Sequence, residues 1–370
     1  MKTNILPRDA LTSLRPYAPG KPIEEVQREF GLERIVKLAS NENPLGCSPL
    51  AKKAIAAEME QTALYPEATA PALAERLAKR HGLEKGNLFL GNGSDEIIHL
   101  LTRGYVRPGD EAVMADVTFP RYETNTRIEG GVPVKVPLKD GVHDLDAMLG
   151  AMTPKTRMMF VCNPNNPTGT IVGKASFHSF IRSVPEHVLL VIDEAYAEYV
   201  TDPDYLETIG FVAERPNLVV LRTFSKIYGL AGLRIGYAAM HPSIARELAK
   251  VKDAFNTNRL AQAAALASLE DPDFVTACAR YNRDCKAIAE AELHRLGLET
   301  FPSQANFLMI KLPVSGELAF RALLEQGVIV RSGEALGLAN SIRVTIGTEH
   351  ENELFLQSLR RFLQQKDVNR

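Results

Sequence analysis

Cysteine is scarce in this 370-residue chain, and Cys47, Cys162, Cys278 and Cys285 show no Cys-x-x-Cys or Cys/His spacing. That argues against a cysteine-based metal site, and the four read as reduced, small apolar residues. Excess charge is missing too. Forty-three Lys and Arg against 45 Asp and Glu leave a formal net charge of -2, which gives no electrostatic basis for binding nucleic acid or an anionic membrane. No apolar run approaches a membrane span, and the opening Met1 to Arg8 lacks a signal-peptide core, so the expected location is the cytoplasm. Repeats and low-complexity tracts are absent. A complete Gly-x-Gly-x-x-Gly is absent as well: beyond Gly91-Asn92-Gly93, Glu96 or Ile97 stands where a third glycine would be sought, which disfavours a dinucleotide fold. What is present is an ordinary globular composition, 45% hydrophobic and 24% charged, in a chain long enough for a large core and two domains.

The stretch that organises the chain is Thr223-Phe224-Ser225-Lys226-Ile227-Tyr228-Gly229-Leu230-Ala231-Gly232-Leu233-Arg234. It follows the apolar run Asn217 to Leu221, which reads as a buried strand, and puts one lysine among small and hydroxyl residues at its end. A lysine in a partly dry pocket beside another cation loses its proton near neutral pH and can attack a carbonyl to form a Schiff base. Arg234 is a candidate for that second cation. Thr223 and Ser225 alternate with apolar residues and could share a face that holds a phosphate ester.

Two further polar stretches follow apolar runs. Asn163-Pro164-Asn165-Asn166-Pro167-Thr168-Gly169 comes after Met158 to Val161, and Asp193-Glu194-Ala195-Tyr196 after Val188 to Ile192. In a parallel sheet the carboxyl ends of neighbouring strands open on one crevice, where Asn166, Asp193, Tyr196 and Lys226 could meet. Upstream, Leu88 to Leu90 feeds Gly91-Asn92-Gly93-Ser94-Asp95-Glu96 and then a helix, a turn whose unpaired N–H groups suit a single phosphate at Gly93, Ser94 and Asp95. A lysine, an aspartate and a phosphate grip are the parts of a pyridoxal 5'-phosphate site. Each residue also has a plain structural use: Lys226 as a solvated loop lysine, Asp193 as a helix cap, Tyr196 as a packed aromatic, Asn166 as a turn residue. Their joint occurrence at successive strand ends favours chemistry.

On these motifs the sequence resembles the fold-type I pyridoxal-phosphate aminotransferases, and within them the histidinol-phosphate aminotransferases, from Leu14-Arg15-Pro16-Tyr17 to Ile342-Arg343-Val344-Thr345-Ile346-Gly347. The resemblance implies an α/β fold with a large domain, built on a mostly parallel seven-stranded sheet covered by helices, and a smaller α+β domain. It implies that Lys226 holds the cofactor and moves a proton at the substrate, that Asp193 faces the pyridine nitrogen, and that Tyr196 and Asn166 hydrogen-bond the ring's phenolic oxygen. Phe119 would stack on the ring. Thr223, Ser225, Arg234 and the turn at Gly93, Ser94 and Asp95 would hold the phosphate, joined by Tyr65 of a neighbouring subunit in a homodimer with shared active sites. Arg343 would take an α-carboxylate, and Arg331, helped by Tyr17, the substrate phosphate. The implied reaction passes an amino group between L-histidinol phosphate and 2-oxoglutarate, in histidine biosynthesis, with no metal, nucleic acid or membrane involved.

One position and one stretch depart from the family's pattern. Cys47 stands where a proline is common, and Lys252-Asp253-Ala254-Phe255-Asn256-Thr257-Asn258 replaces Arg-Pro-Pro-Phe-Asn-Val-Asn, which sets Asp253 near a region expected to meet an anionic substrate. An aromatic amino acid aminotransferase of the same build and, from another reaction class, a threonine-phosphate decarboxylase therefore stay open. For the chain as a whole we expect an N-terminal arm over 1–45 that is also part of the small domain, a large cofactor-binding domain over 46–269 and a small domain over 270–370. The strand at Gly236 to Met240, too close to Lys226 for a crossover helix, should run antiparallel.

Overall fold

The computed structural model describes residues 5–12, 14, 16 and 21–368. Seven strands form one sheet in the order Leu88–Gly91, Gly236–Met240, Leu218–Thr223, Leu189–Asp193, Thr156–Cys162, Glu111–Ala115, Val132–Val136. Every pairing is parallel except those of Gly236–Met240, which is antiparallel to both neighbours. The expected antiparallel strand is thus present, for the stated reason.

The central strands are apolar on both faces because helices cover both. Met159, Val161, Leu190, Ile192, Leu218 and Val220 feed one core, while Met158, Phe160, Leu189, Val191, Val219 and Leu221 feed the other. Successive strand residues point to opposite faces, so a run without polar alternation requires two covered faces. Burying each of these side chains is worth about 1.5–3 kcal/mol. Parallel neighbours require a crossover connection between them, and so the carboxyl ends of the parallel strands emerge on one edge.

A second unit holds the antiparallel strands Arg331–Ser332, Ser341–Thr345 and Phe307–Lys311. Its core gathers Leu308, Ile310, Ile342, Val344, Phe355 and Leu359. The amino-terminal segment joins it: Val36–Lys37 pairs in parallel with Val328–Ile329, and Val26 of the helix Ile23–Phe30 packs with Ala39, Leu324 and Ile329. The long helix Pro272–Arg295, capped by the Asp271 carboxylate at the N–H of Phe274, links the units. Its Cys278 lies in the large core and its Cys285, Ala289 and Leu293 in the small one.

Candidate active site

The strands Thr156–Cys162, Leu189–Asp193 and Leu218–Thr223 end side by side and open on a cavity of about 450 Å³. Asn166, Asp193, Tyr196, Thr223, Ser225 and Lys226, the residues expected to converge, all line it, with Phe119, Ser94, Asp95, Arg234, Arg331 and Arg343. Gly93 sits just behind. Its φ of +78° is left-handed, and a Cβ there would come within 2.5 Å of the Arg234 guanidinium. Only glycine lets that cation lie over the start of the helix Ser94–Tyr105.

The loop Ala39–Cys47 closes the floor. Asn41 donates to the Tyr196 hydroxyl at 3.0 Å and accepts from Thr345 at 3.1 Å, while Asn43 donates to the Ile227 carbonyl at 2.7 Å. Gly229, at φ +68°, meets the backbone of Gly46 so closely that a Cβ would stand 1.9 Å from its carbonyl oxygen. Lys226 Nζ donates to the Ser40 carbonyl at 3.0 Å and lies 5.7 Å from the Tyr196 ring centre.

Burial lowers the Lys226 pKa to about 8, with Arg343 the next cause and Glu42 and Asp95 opposing. Arg234, the cation expected from the sequence, contributes less than Arg343, because its guanidinium is turned toward the Ser225 hydroxyl at 3.2 Å and Asp95 at 3.9 Å. Asp193 closes the far end. Its Oδ2 accepts from the Tyr122 hydroxyl at 2.8 Å and its Oδ1 from the Ala195 N–H at 3.1 Å. Burial nonetheless raises the carboxyl to about 6, against the pull of those two donors. The Tyr196 phenol is also pushed up by burial, opposed by Arg343 and Asn41.

Arg331 and Arg343 stand directly opposite each other on adjacent antiparallel strands, both buried. Like charges so placed repel, an arrangement that an incoming anion relieves. Arg343 donates to the Asn166 side chain and, at 2.8 Å, to the Ala39 carbonyl.

The donor set fits pyridoxal phosphate. One end presents Ser94 at a helix start, Thr223, Ser225 and Arg234 for a phosphate; the other presents a buried carboxylate for a ring nitrogen; between them stand an amine of lowered pKa and the Phe119 ring.

Tyr65 does not line the cavity of its own chain. It is 78% exposed and stacks on Phe255 with ring centres 4.6 Å apart. Asp253 is exposed and away from the cavity, so its charge does not face that space. Tyr17 lies outside the described residues. Asn41, Ser40, Arg121 and Tyr122 were not singled out by sequence reasoning. Tyr122 follows Phe119 by three residues, one helical turn, which was the available signal. The four cysteines carry free thiols, and no helix among the described residues is long and apolar enough to cross a membrane.

Residues 33–359 match the family described as aminotransferase class I and II. A histidinol-phosphate aminotransferase of Moorella thermoacetica is 48% identical over 357 residues, covering 96% of this chain and 92% of that protein. One from Geobacillus thermodenitrificans is 46% identical over 368 residues, 98% and 99% of the two chains. Among solved structures, the histidinol-phosphate aminotransferase of Sinorhizobium meliloti in complex with pyridoxal-5'-phosphate superposes with a TM-score of 0.87 at 27% identity, covering 96% and 98% of the chains. With a cavity of this composition and these relatives over nearly its whole length, the chain belongs to the class I and II aminotransferases.

Proposed function

We propose that this aminotransferase uses pyridoxal 5'-phosphate to move an amino group between L-histidinol phosphate and 2-oxoglutarate. The observation that carries the reading is the convergence of Lys226, Asp193 and the paired Arg331 and Arg343 on one cavity. It occurs in a chain 46–48% identical to histidinol-phosphate aminotransferases along almost its full length. When bound, the cofactor supplies an aldehyde that links to amines and a ring that accepts the electron pair left when a proton departs from the carbon bearing the amine.

The protein's own groups do the rest. Lys226, with a pKa of about 8, has a neutral amine fraction near neutral pH. It would anchor the cofactor, and its amine would carry the proton to and from the substrate carbon. Asp193 would keep the ring nitrogen protonated, while Tyr196 and Asn166 would hold the phenolic oxygen. Phe119 would cover the ring, and Gly93, Ser94, Asp95, Thr223, Ser225 and Arg234 would grip the phosphate. Arg343 takes the α-carboxylate of the oxo acid and Arg331, with Tyr17, the phosphate of the amine; guanidinium binds both groups as a fork, so one cavity serves both substrates.

The exposed Tyr65 ring suits contact with a second copy, in a homodimer whose sites share Tyr65 across the two-fold. We take the cytoplasm as its location. We propose a division into an arm over 1–45 that is also part of the small domain, a large domain over 46–269 and a small domain over 270–370, with the last boundary just before the linking helix Pro272–Arg295.

The test is glutamate formation from L-histidinol phosphate and 2-oxoglutarate by the purified protein, in parallel with phenylalanine and tyrosine as donors and with threonine phosphate under carbon dioxide detection. A strong preference for an aromatic donor, or carbon dioxide release without need of 2-oxoglutarate, would replace the proposal.

A further inference from the structure

Five cations line the cavity, Arg121, Lys226, Arg234, Arg331 and Arg343, against the carboxylates of Glu42, Asp95 and Asp193. Four of the five are engaged. Lys226 donates to Ser40, Arg234 to Ser225, Arg343 to Asn166 and Ala39, and Arg331 also has partners. Arg121 is different: half-buried in the cavity wall, its side chain makes no hydrogen bond or ion pair among the described residues.

Its backbone position compounds the cost. Arg121 is the first residue of the helix Arg121–Ile128, behind Pro120, which caps nothing with its side chain. A cation at a helix start opposes the dipole, where an anion would be favoured. The first-turn acid that could answer it, Glu123, is committed on the far side to Arg127 at 2.9 Å and Lys135 at 2.6 Å. An arginine that shares a cavity with four other cations, stands at the start of a helix and has no ion-pair partner among the described residues costs the fold more than a neutral side chain would. It creates a place for an anion. The cluster of Ser94, Thr223, Ser225 and Arg234 already answers the cofactor phosphate, so Arg121 is left for a different anion.

We propose that Arg121 is a specificity-determining residue that, together with Arg331, binds the anionic group a substrate carries at the end remote from its reacting carbon. This rests on the transaminase reading above, in which that group is the phosphate ester of the amine and, in the other half-reaction, the distal carboxylate of the oxo acid. The guanidinium pairs with either group as a fork.

The experiment compares kcat/KM for wild type, Arg121→Met and Arg121→Lys in the cofactor-loaded enzyme with two pairs of substrates. One pair is L-histidinol phosphate and L-histidinol; the other is 2-oxoglutarate and pyruvate, run with whichever amine the wild type accepts. Loss of one charge-assisted contact lowers the ratio of anionic to neutral substrate about 10- to 100-fold in Arg121→Met, mainly through KM. Arg121→Lys keeps the charge but not the fork and falls between; it also carries the test should the methionine variant not fold. A general structural defect would lower both members of a pair alike and leave the ratio unchanged. Ratios within about twofold of wild type in both pairs overturn the proposal. If wild type does not accept L-histidinol phosphate, the substrate reading falls alone and the oxo acid pair still decides the role of Arg121.

Discussion

Replacing Tyr122 with phenylalanine removes one of two donors to the Asp193 carboxylate while keeping the ring that stacks on Phe160 with centres 4.6 Å apart. A hydrogen bond to a charged group is worth about 1.5–3 kcal/mol, equivalent to about one to two pH units in a titration midpoint. Asp193 begins at about 6, raised by burial. Losing a donor to the ionised form moves it further up, so in the cofactor-free variant the midpoint reaches about 7–8. The direction is fixed by the charge: rising pH ionises the carboxyl, and the group spends more of the pH range as the neutral acid in the variant. At pH 7 the ionised fraction drops from about nine-tenths to between about one-half and one-tenth. Only the ionised form pairs with a protonated ring nitrogen, so cofactor affinity falls about 2- to 10-fold at pH 7. Near pH 9 both proteins are ionised and the gap closes. Equilibrium titration of cofactor-free protein with pyridoxal phosphate across pH 5.5–9.5 gives both numbers. An affinity loss that persists undiminished at pH 9 would mean damaged packing rather than a displaced ionisation, and no loss at pH 7 would mean that Tyr122 does not hold the carboxylate in its charged form.

Two other substitutions probe the floor of the site. Gly229→Ala places a methyl group 1.9 Å from the Gly46 carbonyl oxygen at φ +68°, a cost of about 2–5 kcal/mol from left-handed strain and overpacking. In a chain of this size that lowers the melting midpoint by about 3–6 °C, and an unchanged midpoint in a thermal scan would contradict the packing. Arg343→Gln removes the cation that acts most strongly on Lys226, so the lysine keeps its proton to higher pH. The rate of cofactor attachment measured against pH then has its rising limb moved to alkaline values, more than in Arg234→Gln, and a move toward acid would contradict the ordering.

Much of the large unit could be read from the sequence because its strands are buried on both faces and appear as unbroken apolar runs. Met158 to Val161, Val188 to Ile192 and Asn217 to Leu221 fall within a residue or two of the strands they predicted. Asn166, Asp193, Tyr196 and Lys226 were legible for the same reason: each follows such a run, and a parallel sheet sends all such ends to one edge. What was not legible depends on contacts between distant parts of the chain. The Tyr122 hydroxyl reaches Asp193 across 71 positions, and the Asn41 amide reaches Tyr196 across 155. No local spacing encodes either. The choice of Arg343 over Arg234 as the stronger cation acting on Lys226 has the same origin, since it depends on the small antiparallel sheet that carries Arg343 docking over the cavity. Nor did the sequence show that Asp253 stands exposed, outside the cavity of its own chain, because proximity along the chain does not set where a side chain points.

The central claim is that the amine of Lys226 carries the cofactor. The purified protein, loaded with pyridoxal phosphate, reduced with borohydride, digested and sequenced by mass spectrometry, puts that claim to its most direct test. The expected result is the added mass of a reduced phosphopyridoxyl group on the peptide containing Lys226, and its disappearance in Lys226→Ala. The same mass on another lysine, or on none, would contradict it.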